Sequence, residues 1–420
     1  MDRESLSTAL RSLVNERAEL KGSGSKRRRQ RLNRKIKTLR HRLDILDASA
    51  GADKTTNLCN FMSSSEPGCH VAYFNAPWIV DTGSFRLEDF GLDDVASMPD
   101  ISIDPESGLL SVANTSDVCK SYTITIAGEG SRLIDQHGRV MTTGIYWDND
   151  GVQKTAITLI LAVRPMCLMD VCFVPLDRLK DRSPRHIDLS SDVTDIKPHA
   201  IPKQDWYFEA NRNAAYRFPL LTSDDADSYS LGEVTAARLQ HSYLCSQGFG
   251  GHFTHFIRHT CHAIDLECPT KTPIVAIADG VVEEVRQKAK CGGIHVKHLR
   301  EWNSILLRLS DGHFVEYVHI ATDSCALSVG DVVKRGQIIC ASGSVGFCPT
   351  PHLHIQMHVS GKKDAPTVPF AFSFAGTCFV PRAGKWYSQR GEEKLSSHGG
   401  EAAPVAREEI GSFLTPKPLL

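Results

Sequence analysis

The chain has 420 residues, of which 41% are hydrophobic and 23% charged. That is an ordinary balance for soluble globular protein, with room for two or three domains. The longest apolar run, Ala156–Val163, is too short to span a bilayer, and the 13 cysteines show no small-scaffold spacing. Net charge is −1 but unevenly spread: residues 1–50 hold 14 Lys and Arg against 6 Asp and Glu, a basic head of +8 on a body of −9. The first ten residues mix charges of both signs without an apolar core, so no signal peptide is visible. The expected compartment is the cytoplasm, or the nucleus if the basic run Lys26–Arg31 is an address. Most cysteines are then expected to be reduced, buried thiols.

In chain order, Leu6, Leu10, Leu13 and Leu20 follow heptad spacing, and Leu32, Ile36, Leu39, Leu43 and Leu46 continue it as a 4-3-4-3 stripe. Gly22 and Gly24 separate the two stretches, which predicts a helical hairpin or broken coiled coil over 1–50, long enough only for weak self-association. Its basic run can bind nucleic acid or an anionic surface, or it can be a solvated helix face. Residues 50–65 read as a linker. From 70 to 175 the pattern changes to alternation: Ile101–Ile103, Leu109–Val112, Tyr122–Ile126 and Thr155–Leu161 read as strands separated by turn residues. Short strands of this kind predict a β-sandwich. The stretch Asp104–Val112 followed by Tyr122–Ile126 resembles immunoglobulin-like and cadherin-like repeats, which implies a binding or spacer module. Asp104, Asp148 and Asp150 are turn formers that can also bind calcium. Residues 176–215, polar with Pro184, Pro198 and Pro202, read as a connector, and 381–420 as a disordered tail.

The third domain, 216–380, is predicted all-β. Strands Ala263–Leu266, Pro273–Ala278, Val281–Val285, Ser304–Leu309 and His313–His319 are joined by Asp-Gly turns at 279–280 and 311–312. Near its end, His352, His354 and His358 stand at i, i+2 and i+6, on one face of a strand. Two imidazoles one residue apart can share a metal site, one binding the ion while the other handles a proton. His358, about 13 Å farther along at ~3.3 Å per residue, is too distant for the same ion and is expected to line a groove. His295, His298 and His313, beside basic or turn residues, are expected to be solvated. Asn303 and Tyr317 are candidates to orient substrate or ligands, Tyr317 being better placed for packing.

Several motifs in this domain occur together: Gln247–Gly251 before His255, Ala263–Asp265, Thr272–Ala276 with Asp279–Val282, Tyr317–His319, Val329–Val333 with Gly336-Gln337, and Gly343–Gly346 before Pro351-His-Leu-His354. In this order they resemble the lysostaphin/LytM-type zinc endopeptidases, over roughly residues 216–375. The resemblance implies a zinc ion held by an upstream histidine, Asp265 and His354. It also implies a zinc-activated water as nucleophile, and His319 and His352 as the proton-handling and transition-state-stabilising pair. Many members place the first ligand four residues before the aspartate, where this chain has Cys261. Thr254-His255 fits the other form of the motif, and His259, Cys261 and His262 stay open as alternatives. Lys271 replaces the usual glycine before Thr-Pro. The implied function is a zinc metalloendopeptidase cutting glycine-containing or peptidoglycan cross-bridge peptides. The alternative is a non-catalytic, zinc-stabilised binding module for peptidoglycan or a protein partner.

Overall fold

The computed structural model describes residues 99–393 apart from 104–107, 128–133, 136–143, 164, 175–187, 197–204, 213–215, 230, 233–238, 252 and 364. Before residue 99 it describes positions 8, 11–16, 32, 36 and 84–86. The heptad stripe and basic run of 1–50 and the 50–65 linker lie almost wholly outside the described residues. The described chain is mainly β, and no helix in it is long and apolar enough to cross a membrane. Eleven described cysteines are free thiols, seven of them buried.

The C-terminal half is built on a nine-stranded antiparallel sheet. Its order is Val332–Val333, Gly280–Arg286, Ser304–Leu309, Phe314–Val318, His352–His358, Ile264–Glu267, Tyr243–Gln247, Trp386–Ser388 and Gly391–Glu393. Alternation sorts the central strands into two faces. Ile305, Leu307, Val315, Tyr317, Leu353, Ile355, Met357, Ile264 and Leu266 point to one side and form the core with Phe218, Phe370 and Phe372. The helix Trp206–Arg212 adds Trp206 and Ala210 to the same core. The opposite face carries the polar residues: Asp265 pairs with His354, Glu267 with His352, and Glu316 with Gln356.

Two boundaries expected from the sequence are corrected. The tail does not begin at 381, because Trp386–Ser388 and Gly391–Glu393 close the sheet edge and buried Tyr387 stacks on Phe379. The connector 176–215 holds a strand, Asp188–Asp195, paired along its whole length with Lys120–Ala127. Its polar composition hid it because it is an edge strand with one neighbour.

The middle of the chain forms two sheets sharing one core. Cys167–Phe173 lies between Leu109–Asn114 and Ser84–Arg86, with Ile101–Ile103 beyond Leu109–Asn114. The other sheet runs Asp188–Asp195, Lys120–Ala127, Gln153–Val163, Gly144–Trp147. Leu110 and Val112 meet Tyr122, Ile124, Ile126, Leu159 and Leu161 between them. All four expected strands form. Kinship to immunoglobulin or cadherin repeats remains a reading of sequence pattern alone. Asp148 is a turn former: its Oδ1 accepts the N–H groups of Asp150 and Val152, and its Oδ2 pairs with Lys154 at 2.7 Å.

The second sheet does not stop at Gly144–Trp147. Gly292-Gly293 continues it, pairing with Tyr146 on one side and with Gly346-Phe347 on the other. The segment 292–300 then lies over the outer face of the sheet. The N–H of Val296 donates to Thr125 Oγ1, Thr158 Oγ1 donates to the Ile294 carbonyl, and His298 Nε2–H donates to the Trp147 carbonyl. This overturns the expectation for His295 and His298, which are buried at 5% and 0% exposure because the turn carrying them docks on the sheet. Burial, with Lys297 close by, pushes His295 down to about 4. His313 is partly exposed beside Asp311. Gly292 permits the close approach, since a Cβ there would run into the Ser344 carbonyl. Gly292→Ala should lower stability by about 1–3 kcal/mol, the usual range for overpacking, read as a fall in the urea midpoint.

Candidate metal centre

Neighbouring strands assemble the site on the polar face. Asp265 and His354 sit directly opposite one another in register, and His354 is paired on its other side with Val318, the residue before His319. His255 arrives from the turn-rich stretch after Tyr243–Gln247. The Gln247 side chain pins that stretch: its Oε1 accepts the N–H groups of Phe253 and Thr254, while its Nε2 donates to Asp265 Oδ2 at 2.9 Å. One side-chain amide therefore aligns the loop with the aspartate.

The donor atoms converge. His354 Nδ1 lies 2.8 Å from Asp265 Oδ1, His255 Nε2 lies 3.3 Å from the same oxygen, and the two ring nitrogens are 3.3 Å apart. Around a tetrahedral zinc, donors at 2.0–2.1 Å stand about 3.3–3.4 Å from each other. The outer atoms are already committed. His255 Nδ1–H donates to the Gly248 carbonyl at 3.0 Å, and His354 Nε2–H donates to Gln356 Oε1 at 3.1 Å. Gln356 Nε2 donates in turn to Glu316 Oε2 at 3.0 Å. A neutral imidazole has one proton, and each is spent outward. The inner nitrogens and Asp265 Oδ1 therefore present lone pairs to one another, which is repulsive unless a cation or an added proton lies among them. The residues fit a bound metal, with hydrogen-bonded outer partners of the kind that orient metal ligands.

Titration follows from the same geometry. Burial works against charge on His354, but Asp265 outweighs it and its pKa is raised. Burial opposes the Asp265 carboxylate, yet His255, His352 and His354 hold it well below the usual carboxylate range. Buried His255 is lowered toward the neutral imidazole. Because a metal ligand must be deprotonated, ion binding would release the added proton.

His319 and His352 stand beside this triad, with ring centroids 4.7 Å apart and His319 6.0 Å from His354. His319 Nδ1–H donates to the Val345 carbonyl at 2.7 Å and His352 Nδ1–H to the Thr350 carbonyl at 2.7 Å, so each has Nε2 left over. His352 Nε2 is 3.7 Å from Asp265 Oδ1. Burial and the neighbouring histidines hold His319 well below its ordinary value; burial also opposes charge on His352, but Cys348 and Asp265 push it up to about 9.

The open question at the first upstream position narrows on geometry. His255, Asp265 and His354 form one donor cluster, and among the described residues His259, Cys261 and His262 belong to none. Cys261 contacts Thr367 Oγ1, with burial pushing its thiol up to about 11, and His262 packs edge-on against Trp206. His358 does not line a groove: its Nδ1–H donates to the Ala365 carbonyl, and its Nε2 lies 3.6 Å from Glu316. Tyr317 packs in the core, its hydroxyl accepting the Ile277 N–H, and Asn303 ties Ala289 to Ile320. The sequence reading missed Gln247, Glu316, Gln356 and Cys348. Gln356 could have been found by continuing the two-residue period from His354; nothing in spacing marks Gln247.

The sequence profile of peptidase family M23 matches residues 259–366. That segment is similar to the M23 peptidases. The matched segment begins four residues after His255. A glycyl-glycine endopeptidase of Staphylococcus capitis, ALE-1, is 38% identical over 96 residues, 23% of this chain and 24% of that protein. An uncharacterized metalloprotease of Haemophilus influenzae is 31% identical over 105 residues, 24% of this chain and 19% of that protein. The chain thus spans about a fifth to a quarter of the length of these relatives. The catalytic domain of lysostaphin from Staphylococcus simulans aligns at 30% identity over 30% of this chain and 84% of its own, with a TM-score of 0.22.

Gln356 is the outer partner of His354 through a single hydrogen bond. Gln356→Leu should weaken metal binding by about 10–100-fold, measured by competition with a chelator.

Proposed function

We propose that the chain is a zinc-dependent metalloendopeptidase acting on glycine-containing or peptidoglycan cross-bridge peptides. The observation that carries this is the set of inward-facing lone pairs of His255, Asp265 and His354, with two further histidines alongside. The name of the S. capitis relative, a glycyl-glycine endopeptidase, supports the substrate class.

His255, Asp265 and His354 would hold the ion, and Gln247, Gln356 and the Gly248 carbonyl would fix their orientation. When bound, zinc supplies Lewis acidity, polarising the scissile carbonyl and acidifying water. The chain's own residues do the rest. His319 and His352 each have Nδ1 anchored to a carbonyl, so proton traffic falls to Nε2. One Nε2 takes a proton from attacking water and passes it to the departing amine. The other, protonated, donates to the oxyanion. Both rings are buried to 8% exposure or less, which fixes them and limits access of bulk water.

The test is cleavage of pentaglycine and of cross-linked muropeptides by the zinc-loaded full chain. His352→Ala should be slower by about a hundredfold or more. A wild type no faster than that variant would leave a zinc-stabilised binding module in place of an enzyme.

A further inference from the structure

The proton-handling pair has a third neighbour that the mechanism does not use. Cys348 Sγ lies 3.4 Å from His352 Nδ1 and 3.0 Å from the Thr350 carbonyl, and the Cys348 side chain is buried. One ring nitrogen from each of His319 and His352 and the Cys348 sulfur lie within 4.8 Å of one another. This donor cluster shares no residue with His255, Asp265 and His354, yet it abuts them, since His352 Nε2 is 3.7 Å from Asp265 Oδ1.

We propose that His319, Cys348 and His352 form a second, inhibitory site for a thiophilic divalent ion such as zinc. Two imidazole nitrogens and a thiolate are a donor set that zinc and cobalt take readily, and the Thr350 carbonyl is at hand as a further oxygen. Binding replaces protons: the ion enters, Cys348 coordinates as thiolate and both imidazoles as neutral rings, and the thiol proton and any second proton on His352 leave to solvent. The first site, with two imidazoles and a carboxylate, lacks sulfur, so the two sites differ in chemistry and in spectrum. Occupation of the second withdraws from proton transfer both histidines that the proposed peptidase reaction needs. The inhibitory consequence therefore rests on the peptidase reading; the binding does not.

Cobalt titration of the metal-free full chain tests the site. Wild type should take up two equivalents, the second bringing a thiolate-to-cobalt charge-transfer band in the near ultraviolet. Cys348→Ser and Cys348→Ala should keep the first equivalent, which reports an intact fold, and lose both the second equivalent and the band. His354→Ala should weaken the first equivalent and keep the thiolate band. A wild type that stops at one equivalent without the band, or a Cys348 variant that still binds two, overturns the site. In the peptidase assay, raising zinc from one to several equivalents should slow wild type at least tenfold and Cys348→Ser less than twofold. Equal slowing of both overturns the inhibitory role. Two equivalents with the thiolate band in a chain that cleaves nothing would uphold the site and remove the peptidase reading instead.

Discussion

Asp265→Asn should leave the chain folded and empty the His255–Asp265–His354 site of metal. In the native cluster, Gln247 Nε2 donates to one carboxylate oxygen, and the other faces the lone pairs of His255 Nε2 and His354 Nδ1. An asparagine of the same shape can accept the Gln247 bond with its oxygen and turn its amide toward the two rings. Its two N–H groups then meet two imidazole acceptors, and the lone-pair conflict that a cation would relieve is relieved by the substitution. The loss of charge removes the strongest attraction for a divalent ion, because Asp265 is the one anionic member of the triad. In a Cys348→Ser background, where only this triad is left to bind, the expected zinc content falls from one per chain to less than a tenth. The melting temperature of the metal-free variant should equal or exceed that of metal-free wild type. Peptide cleavage should drop to background. Zinc near one per chain by elemental analysis of that Asp265→Asn, Cys348→Ser double variant would mean that Asp265 does not hold the ion.

This outcome depends on features that the sequence displays unevenly. The His-x-His strand and its two-residue period were legible because a strand facing an apolar core on one side must put every second residue on the other. Leu353, Ile355 and Met357 go to the core, and His352, His354, Gln356 and His358 go to the polar face. The pairing of Asp265 with His354 was legible only through resemblance, since 88 residues separate them in the chain and register is a property of the folded sheet. His255 lies in a stretch without regular strands, so no period could rank it above His259 or His262. The Gln247 hydrogen bonds that select it are visible only in three dimensions.

The middle sheet misled for a related reason. The alternation in Tyr122–Ile126 implies one buried and one solvated face. Thr125 and Thr158 are nonetheless buried, because Ile294–His298 from the other half of the chain docks on them. Threonine suits both situations, since its hydroxyl hydrogen-bonds to water or to a docking backbone equally well. A sequence pattern cannot distinguish a face that meets solvent from one that meets the backbone of another segment.

That docked segment bears on catalysis, and His319→Asn should reveal it. His319 has a left-handed backbone, φ 62°, where asparagine is among the best-tolerated replacements, so the substitution should not disturb the chain path. It removes the imidazole whose Nδ1–H is fixed by the Val345 carbonyl. Because His319 is not among the triad donors, one zinc per chain should remain bound. Turnover should fall by about 10²–10⁴-fold, the usual contribution of a positioned general acid or base, with KM little changed. A kcat within tenfold of wild type would exclude His319 from proton transfer. The Val345 carbonyl that aims the ring adjoins a strand tied to the middle sheet: Gly346-Phe347 pairs with Gly292-Gly293, and Gly293 pairs with Tyr146. Gly292→Ala, which presses on Ser344 next to Val345, should therefore show a smaller loss of kcat of the same kind, with the metal retained. If Gly292→Ala loses stability but keeps full kcat, the middle sheet supports the fold without aiming the histidine.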